Sequence, residues 1–596
     1  MKNTCLLICL CLLGTAGLAN NVIPKWQPFI LDLEGPSTKE TDSENPFLDY
    51  RLNVIFSKGK RSFVVPGFFA ADGNAANSGA GSGKVWRTIF TPDEEGEWQY
   101  EVSFRKGKQL AVSDDPYLGQ PVEGLDGQKG RFRCGPPSTD AQDIRSKGRL
   151  TYHKSQYFHF QNGEPYLKVG ANSPENFLAF ADIDGTYSYD PNAQFLKSWE
   201  AHIADWNSGD PTWQNGKGKG AIGALNYLAS KSMNVVYALT LNIEGDAKDV
   251  WPFLSHERKD FLRYDVSKLA QWDILFTHAE SKGIVLHLIT QEKENELILD
   301  DGYTDVSRKL YYRELIARFG YHNNVIWNMG EENGQVEFWP QGQSDQQRYA
   351  MIRYLKDHDP YKNPLVIHTF PAKKERDEVL EALLHFDRLD GISMQVADIY
   401  KVHRDIRELV AHSGKSRRPW VVTMDEIGPW HTGTRSDKND PRHDTLRQEV
   451  LWGTLMAGGG GVEWYFGWIQ APNDLNAEDW RSRNNMWEQS AIAANFFKAY
   501  LPFTEMKSSD ELVEEASYCL SKENDTYVVY CKKGGKASID LSKAKGKYRV
   551  HWFDPLEGGV LQQTSTQEVS AGAKCSLGMP PSKPAQDWAI LLRKLP

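Results

Sequence analysis

From Pro165 onward, short apolar runs alternate with longer helical stretches, and this alternation constrains the chain more than any other feature. The runs fall at 166–171, 233–239, 284–290, 324–329, 364–369, 391–395, 419–424 and 461–466. An apolar run of this length is what a strand buried on both faces requires, and the helices between supply parallel crossovers. Stretches 265–282, 305–319 and 345–356 carry helical spacing, the first opening on Asp265-Val266-Ser267 as a helix start. Eight strand-then-helix repeats predict a closed (β/α)8 barrel rather than an open sheet.

In such a barrel the cleft lies at the carboxyl ends of the strands, so each tip can be read for chemistry. Strand one is followed by Asn172-Ser173-Pro174-Glu175-Asn176, and strand two by Asn242. Strand three carries His287 and ends in Gln291-Glu292; strand five ends in His368-Thr369 and strand six in Gln395. Strand eight gives Glu463-Trp464-Tyr465. Strands four and seven are alike: an apolar run ends in adjacent acids, Glu331-Glu332-Asn333 in one and Asp425-Glu426 in the other. They lie on opposite sides of an eight-stranded barrel, so their carboxyls face each other. This ring of amides, acids, imidazoles and aromatics suits a polyhydroxylated substrate, which needs many hydrogen bonds and an apolar face. Nineteen tryptophans are either large cores or platforms for sugar rings. Trp430 and Trp464 are the best-placed platforms, followed by Trp468, with Trp251 and Trp339 better suited to the core.

Other chemistries find no support. No glycine-rich phosphate loop follows any strand. No His-x-His or His-Glu-x-x-His pair offers metal ligands, and no Gly-x-Ser-x-Gly elbow offers an acyl nucleophile, so neither metal nor cofactor is expected. The net charge of −10 is spread along the chain without a basic tract, which gives nucleic-acid binding no electrostatic basis.

A chain of 596 residues exceeds one compact domain. Residues 1–19 read as a secretory signal: Lys2, then the apolar stretch 6–13, then small residues ending at Ala19. No later run is long and apolar enough to span a membrane, so an exported, soluble product is expected. Residues 20–150 alternate apolar and polar, with strands near 51–56, 85–90 and 97–104, the pattern of an antiparallel, immunoglobulin-like sandwich. Between them, 73–83 reads as a mobile loop. Residues 151–505 hold the barrel. Residues 506–596 return to short strands, near 516–520, 526–531, 548–553 and 588–593, as a second sandwich. Cys519 and Cys531 flank the turn at 521–526 and are either a disulfide or two free, buried thiols. The oligomeric state is not legible.

Trp327-Asn328-Met329-Gly330-Glu331-Glu332 with Asp425-Glu426-Ile427-Gly428 resembles the clan A glycoside hydrolases, retaining enzymes on a (β/α)8 barrel. Asn172-Ser173-Pro174-Glu175-Asn176-Phe177-Leu178, Tyr311-Tyr312-Arg313-Glu314-Leu315-Ile316-Ala317-Arg318-Phe319-Gly320 and Gly461-Val462-Glu463-Trp464-Tyr465-Phe466-Gly467 are similar to an apiosidase-like group of secreted bacterial hydrolases. That group also carries an N-terminal sandwich of unknown function and a C-terminal sandwich of collagen-binding type, so the resemblance spans nearly the whole mature chain. It implies a retaining hydrolase of plant or algal polysaccharides or their oligosaccharides. Glu332 would be the acid/base and Glu426 the nucleophile, with Asp425 a hydrogen-bonding neighbour. The remaining tip residues, Asn172, Glu175, His287, Glu331, Asn333, His368, Gln395, Trp430, Trp464 and Tyr465, would contact the sugar. In the clan an asparagine precedes the acid/base. Here Glu331 stands in that place, which leaves Glu331 and Glu332 both open as the acid. A non-catalytic carbohydrate-binding or surface-adhesion protein on the same barrel is the alternative, and the two filled carboxylate positions weigh against it.

Overall fold

A computed structural model describes residues 22–190, 195–256 and 260–596. The expected signal segment, 1–19, lies outside them. Eight parallel strands close into a barrel: β1 (Lys168–Ala171), β2 (Val235–Leu239), β3 (Val285–Ile289), β4 (Val325–Asn328), β5 (Leu365–His368), β6 (Gly391–Val396), β7 (Val421–Ile427) and β8 (Gly461–Trp464). Each falls within or beside the apolar run that predicts it. Closure runs through β1 and β8, which pair Lys168 with Gly461 and Gly170 with Glu463. Gly461 is required there: it has φ +136°, and a Cβ would sit 2.0 Å from the Lys168 carbonyl.

The helices between the strands are α1 (Lys219–Ser230), α2 (Val266–Ser281), α3 (Val306–Phe319), α4 (Asp345–His358), α5 (Lys373–Leu384), α6 (Val402–Ser413) and α7 (Trp452–Met456), with α8 (Asn484–Tyr500) after β8. The helix start read at Asp265 is real: its side chain accepts the Lys268 N–H at the head of α2. Ser344 and Gln347 form a reciprocal capping box on α4.

The amino end of the barrel is filled. Inward-facing Val235, Val285, Ile326, Val366 and Val421 pack against Leu150, Phe158, Phe160 and Tyr166. Those side chains come from the hairpin Leu150–Thr151/His159–Phe160 and the chain just after it. This plug leaves the carboxyl end as the open face.

The N-terminal sandwich contains Tyr50–Lys58, Ser82–Phe90 and Gly96–Lys106 at the expected places, in sheets ordered as antiparallel neighbours. The expected loop at 73–83 is instead built into the fold. Ala75–Ser78 forms a short helix with Ala75 and Ala76 buried, and Gln271 Nε2 donates to the Ala76 carbonyl at 3.0 Å. Its small residues suit close packing on α2 as well as they suit a turn. The C-terminal sandwich has its own core, with Trp552 and Trp588 in edge-to-face contact. In it Cys519 pairs in register with Val529, and Cys531 with Ser517. The two thiols are therefore not opposite each other, and both are free and buried.

Candidate active site

The open end holds a cleft of about 470 Å3 lined by Glu175, Asp246, Glu292–Glu294, Glu331, Glu332, Phe338, Gln395, Glu426, Trp430, Tyr465 and Trp468, with Pro371 and Pro429. At its floor, one carboxylate oxygen from each of Glu175, Glu331 and Glu426 lies within 4.8 Å of the other two.

Glu426 is delivered by an irregularity in β7. The register with β6 shifts there: Met394 pairs with Met424, but Gln395 pairs with Glu426, so Asp425 is the extra residue. In a regular strand adjacent side chains point to opposite faces; the bulge lets both acids turn inward. Asp425 drops into the barrel interior, and Glu426, 4% exposed, reaches the cleft. Gln395 Nε2 donates to Glu426 Oε1 at 2.6 Å, and His368 Nε2 lies 3.4 Å from Oε2. His368 Nδ1 accepts the Glu332 N–H at 3.3 Å, which leaves its proton on Nε2, toward Glu426. Burial pushes the imidazole down to about 3, so it works as a neutral donor.

Glu331 and Glu332 part ways after β4. Glu331 enters the floor, where the Tyr237 hydroxyl donates to its Oε2 at 2.7 Å. Burial raises its pKa to about 8; the tyrosine bond opposes the shift and the neighbouring Glu332 charge adds to it. Glu332 takes a left-handed backbone, φ +43°, and turns to the wall, where Lys293 Nζ holds its Oε2 at 2.7 Å. Burial, then Glu331 and Glu332, push Glu426 well above the ordinary carboxylate range. Two carboxyls this close titrate as a pair.

Beneath the floor lies a buried network. Lys168 Nζ is 2.8 Å from Asp425 Oδ1 and 3.1 Å from Glu463 Oε1. Burial works against the ammonium, yet the two carboxylates hold its pKa above the ordinary value. Glu463 accepts from His287 Nδ1 at 3.1 Å, and Asn328 Nδ2 donates to His287 Nε2 at 3.0 Å. Asn328 Oδ1 in turn accepts the Gly330 N–H at 3.2 Å, at the turn that presents Glu331. Asn172 Nδ2 donates to the Asp425 carbonyl at 2.9 Å. One chain of bonds thus reaches from the Glu331 turn to the residue before Glu426.

Among the described residues two groups have the composition to hold a metal ion. Glu175, Glu331 and Glu426 offer oxygens only, which suits a hard cation. His287, Asp425 and Glu463 form the other group, and there the Lys168 ammonium already sits on both carboxylates.

Of the residues expected at the site, Glu175, Glu331, Glu332, Gln395, Glu426, Trp430 and Tyr465 line the cleft. His368 stands just behind, against Glu426. Asn172 and His287 lie below the floor and support it rather than the sugar. Two expectations are corrected. Asn333 is buried away from the cleft with its Nδ2 on Gln343 Oε1, 2.8 Å, because the left-handed turn at Glu332 carries the chain outward. Trp464 is fully buried and donates to Ser490 Oγ at 2.8 Å. Strand alternation explains it: Glu463 faces into the barrel, so Trp464 faces α8. Trp251 is in the core as expected, and Trp468 joins Trp430 at the cleft mouth through a Trp468 N–H to Trp430 carbonyl bond of 2.8 Å. Asp246, Lys293, Glu294, Phe338 and Tyr237 escaped the sequence reading. Lys293 and Glu294 directly follow Glu292, so their signal was adjacency to a strand tip; Asp246 and Phe338 sit on loops with no such marker.

Comparison with known proteins bears on the flanks and the fold. Residues 22–105 match the family described as "Domain of unknown function (DUF5060)". Residues 507–593 match "Putative collagen-binding domain of a collagenase". No curated protein matches the sequence. A crystal structure described as a "putative glycoside hydrolase" from Bacteroides vulgatus superimposes with TM-score 0.62 at 16% identity, covering 96% of this chain and 99% of that one. A "glycoside hydrolase family 5" structure from the same species gives TM-score 0.52 at 15% identity, covering 75% and 93%. At such identities the likeness is one of fold: a barrel between two sandwiches is an arrangement this chain shares with a solved structure along nearly its whole length.

Proposed function

We propose that the protein is a retaining glycoside hydrolase, exported by its N-terminal segment, that cleaves O-glycosidic bonds in plant or algal polysaccharides or their oligosaccharides. The observation that carries this reading is the spacing of Glu331 and Glu426. Retaining enzymes hold their carboxyls about 5–5.5 Å apart, and inverting enzymes about 6.5–9.5 Å apart to admit a water. One oxygen of Glu331 lies within 4.8 Å of one oxygen of Glu426, a closeness that supports the shorter spacing. The solved structures of like architecture, described as glycoside hydrolases, support the same reaction class.

In this reading Glu426 is the nucleophile. Gln395 donates to one of its oxygens, and His368 Nε2 lies 3.4 Å from the other. Glu331 is the acid/base, in place of Glu332. Its raised pKa keeps the proton on it at working pH, as a general acid needs. Glu332 is turned aside to the wall, where its Oε2 is taken up by Lys293. Glu331 protonates the leaving oxygen while Glu426 attacks the anomeric carbon; Glu331 then takes a proton from the water that releases the sugar. Trp430, Trp468 and Tyr465 offer apolar faces within the cleft.

The test is turnover of a panel of chromogenic glycosides by the wild type and by Glu426→Gln. Release by the wild type with loss of at least a thousandfold in the variant is expected. Equal release by both proteins would defeat the reading.

A further inference from the structure

The charge on the cleft wall bears on what kind of glycan can enter, an inference that rests on the glycosidase reading above. Beyond Glu331 and Glu426, the wall carries Glu175, Asp246, Glu292, Glu294 and Glu332. Among the described residues lining the cleft one side chain is cationic, Lys293, and it is spent on Glu332 at 2.7 Å with Glu294 a further 3.7 Å away. No arginine of the described residues reaches the lining. A site that holds uronate or sulfate groups needs a donor fork or an ammonium for each.

A second observation concerns hydrogen bonds. Glu426 Oε2 and Gln395 Oε1 are buried in lining residues and accept no bond. His368 Nε2 stands 3.4 Å from Glu426 Oε2 without a bond between them, so both acceptors are open to a donor from the ligand. A sugar hydroxyl or a protonated amine brings a donor; a carboxylate or a sulfate brings further acceptors and more negative charge. We propose that the cleft takes glycans whose bound stretch carries hydroxyls or free amines and no acidic group. Pectic uronates and sulfated algal chains are then excluded from the plant and algal range.

The experiment compares matched sugars that differ in charge alone. Aryl glucosides, galactosides and glucosaminides are set against the glucuronide and galacturonide. Xyloglucan, galactan and chitosan are set against polygalacturonate and carrageenan. We expect kcat/KM on every acidic member to be below one-tenth of that on the best uncharged or amino member. An acidic member turned over as well as or better than the others overturns the proposal. We also expect Asp246→Asn/Glu294→Gln to raise the acidic-to-neutral ratio at least threefold; an unchanged ratio contradicts it. If nothing in the panel is cleaved, the hydrolase reading fails on its own terms, and calorimetric binding of the same sugars to Glu426→Gln decides the charge question. Binding confined to uncharged or amino sugars sustains the proposal; binding of an acidic sugar, or of none, overturns it.

Discussion

At the scale of residues, Glu331 and Glu332 show how little separates two roles. They are neighbours in sequence, yet one lies on the floor under the Tyr237 hydroxyl and the other on the wall under Lys293. The left-handed backbone at Glu332 makes the division. Two consequences follow for kinetics. Glu331→Gln should lower kcat by about 10²–10⁴, the range of a lost general acid, and Glu332→Gln by less than about tenfold. The wild-type kcat/KM should fall as pH rises through about 8, where Glu331 gives up its proton. Removing the Glu332 charge makes that ionisation easier, so in Glu332→Gln the basic limb should move to lower pH. An unmoved limb, or a greater loss in Glu332→Gln than in Glu331→Gln, would return the acid role to Glu332.

At the scale of elements, the decisive feature is the irregularity in β7 together with the network under it. Strand positions were legible because buried parallel strands leave apolar runs that little else explains. The bulge was not: nothing in Val421-Val422-Thr423-Met424-Asp425-Glu426 marks an extra residue, since a bulge is set by the register with β6. The same limit applied to Trp464. Its exposure depended on which of two adjacent residues faces inward, and Lys168 decides that by drawing Glu463 into the barrel. Lys168 therefore has a testable weight. Lys168→Met leaves Asp425 and Glu463 buried without their cation and should cost about 3–5 kcal/mol, measured by denaturant unfolding near neutral pH. The sign of the pH dependence follows from Glu463, which burial raises to about 7. A protonated Glu463 needs no counter-charge, so the loss should be smaller at pH 5 than at pH 8. A variant as stable as wild type at both values would show that the network carries no stability.

At the scale of the whole molecule, the sandwiches are built onto the barrel by buried polar contacts. Arg313 Nη2 donates to the Leu52 carbonyl and to Asn53 Oδ1, and Arg318 Nη2 to the Phe69 carbonyl. The stretch 311–320, part of the resemblance read in the sequence, thus binds the N-terminal sandwich to α3 rather than the substrate. On the other side, Arg447 grips Asp587 with Nε and Nη2 at 3.0 and 2.7 Å, and the Tyr530 hydroxyl donates to the same carboxylate. Asp587→Ala should strip the guanidinium of its buried partner and leave it only the half-exposed Asp444, costing up to about 3–5 kcal/mol. In calorimetry the C-terminal sandwich should then melt before the barrel; a single transition at the wild-type temperature would show that the contact does not hold the domains. The three-domain layout was readable from where the period of hydrophobicity changes. The docking was not, because arginines such as Arg447 look in sequence like any surface charge. All of this architecture places two carboxyls across one cleft, and the stereochemistry of cleavage tests that most directly. Time-resolved proton NMR of the anomer first released from a natural substrate should show the configuration of the bond that was cut, before mutarotation. A first-formed product of inverted configuration would contradict the pairing of Glu331 with Glu426.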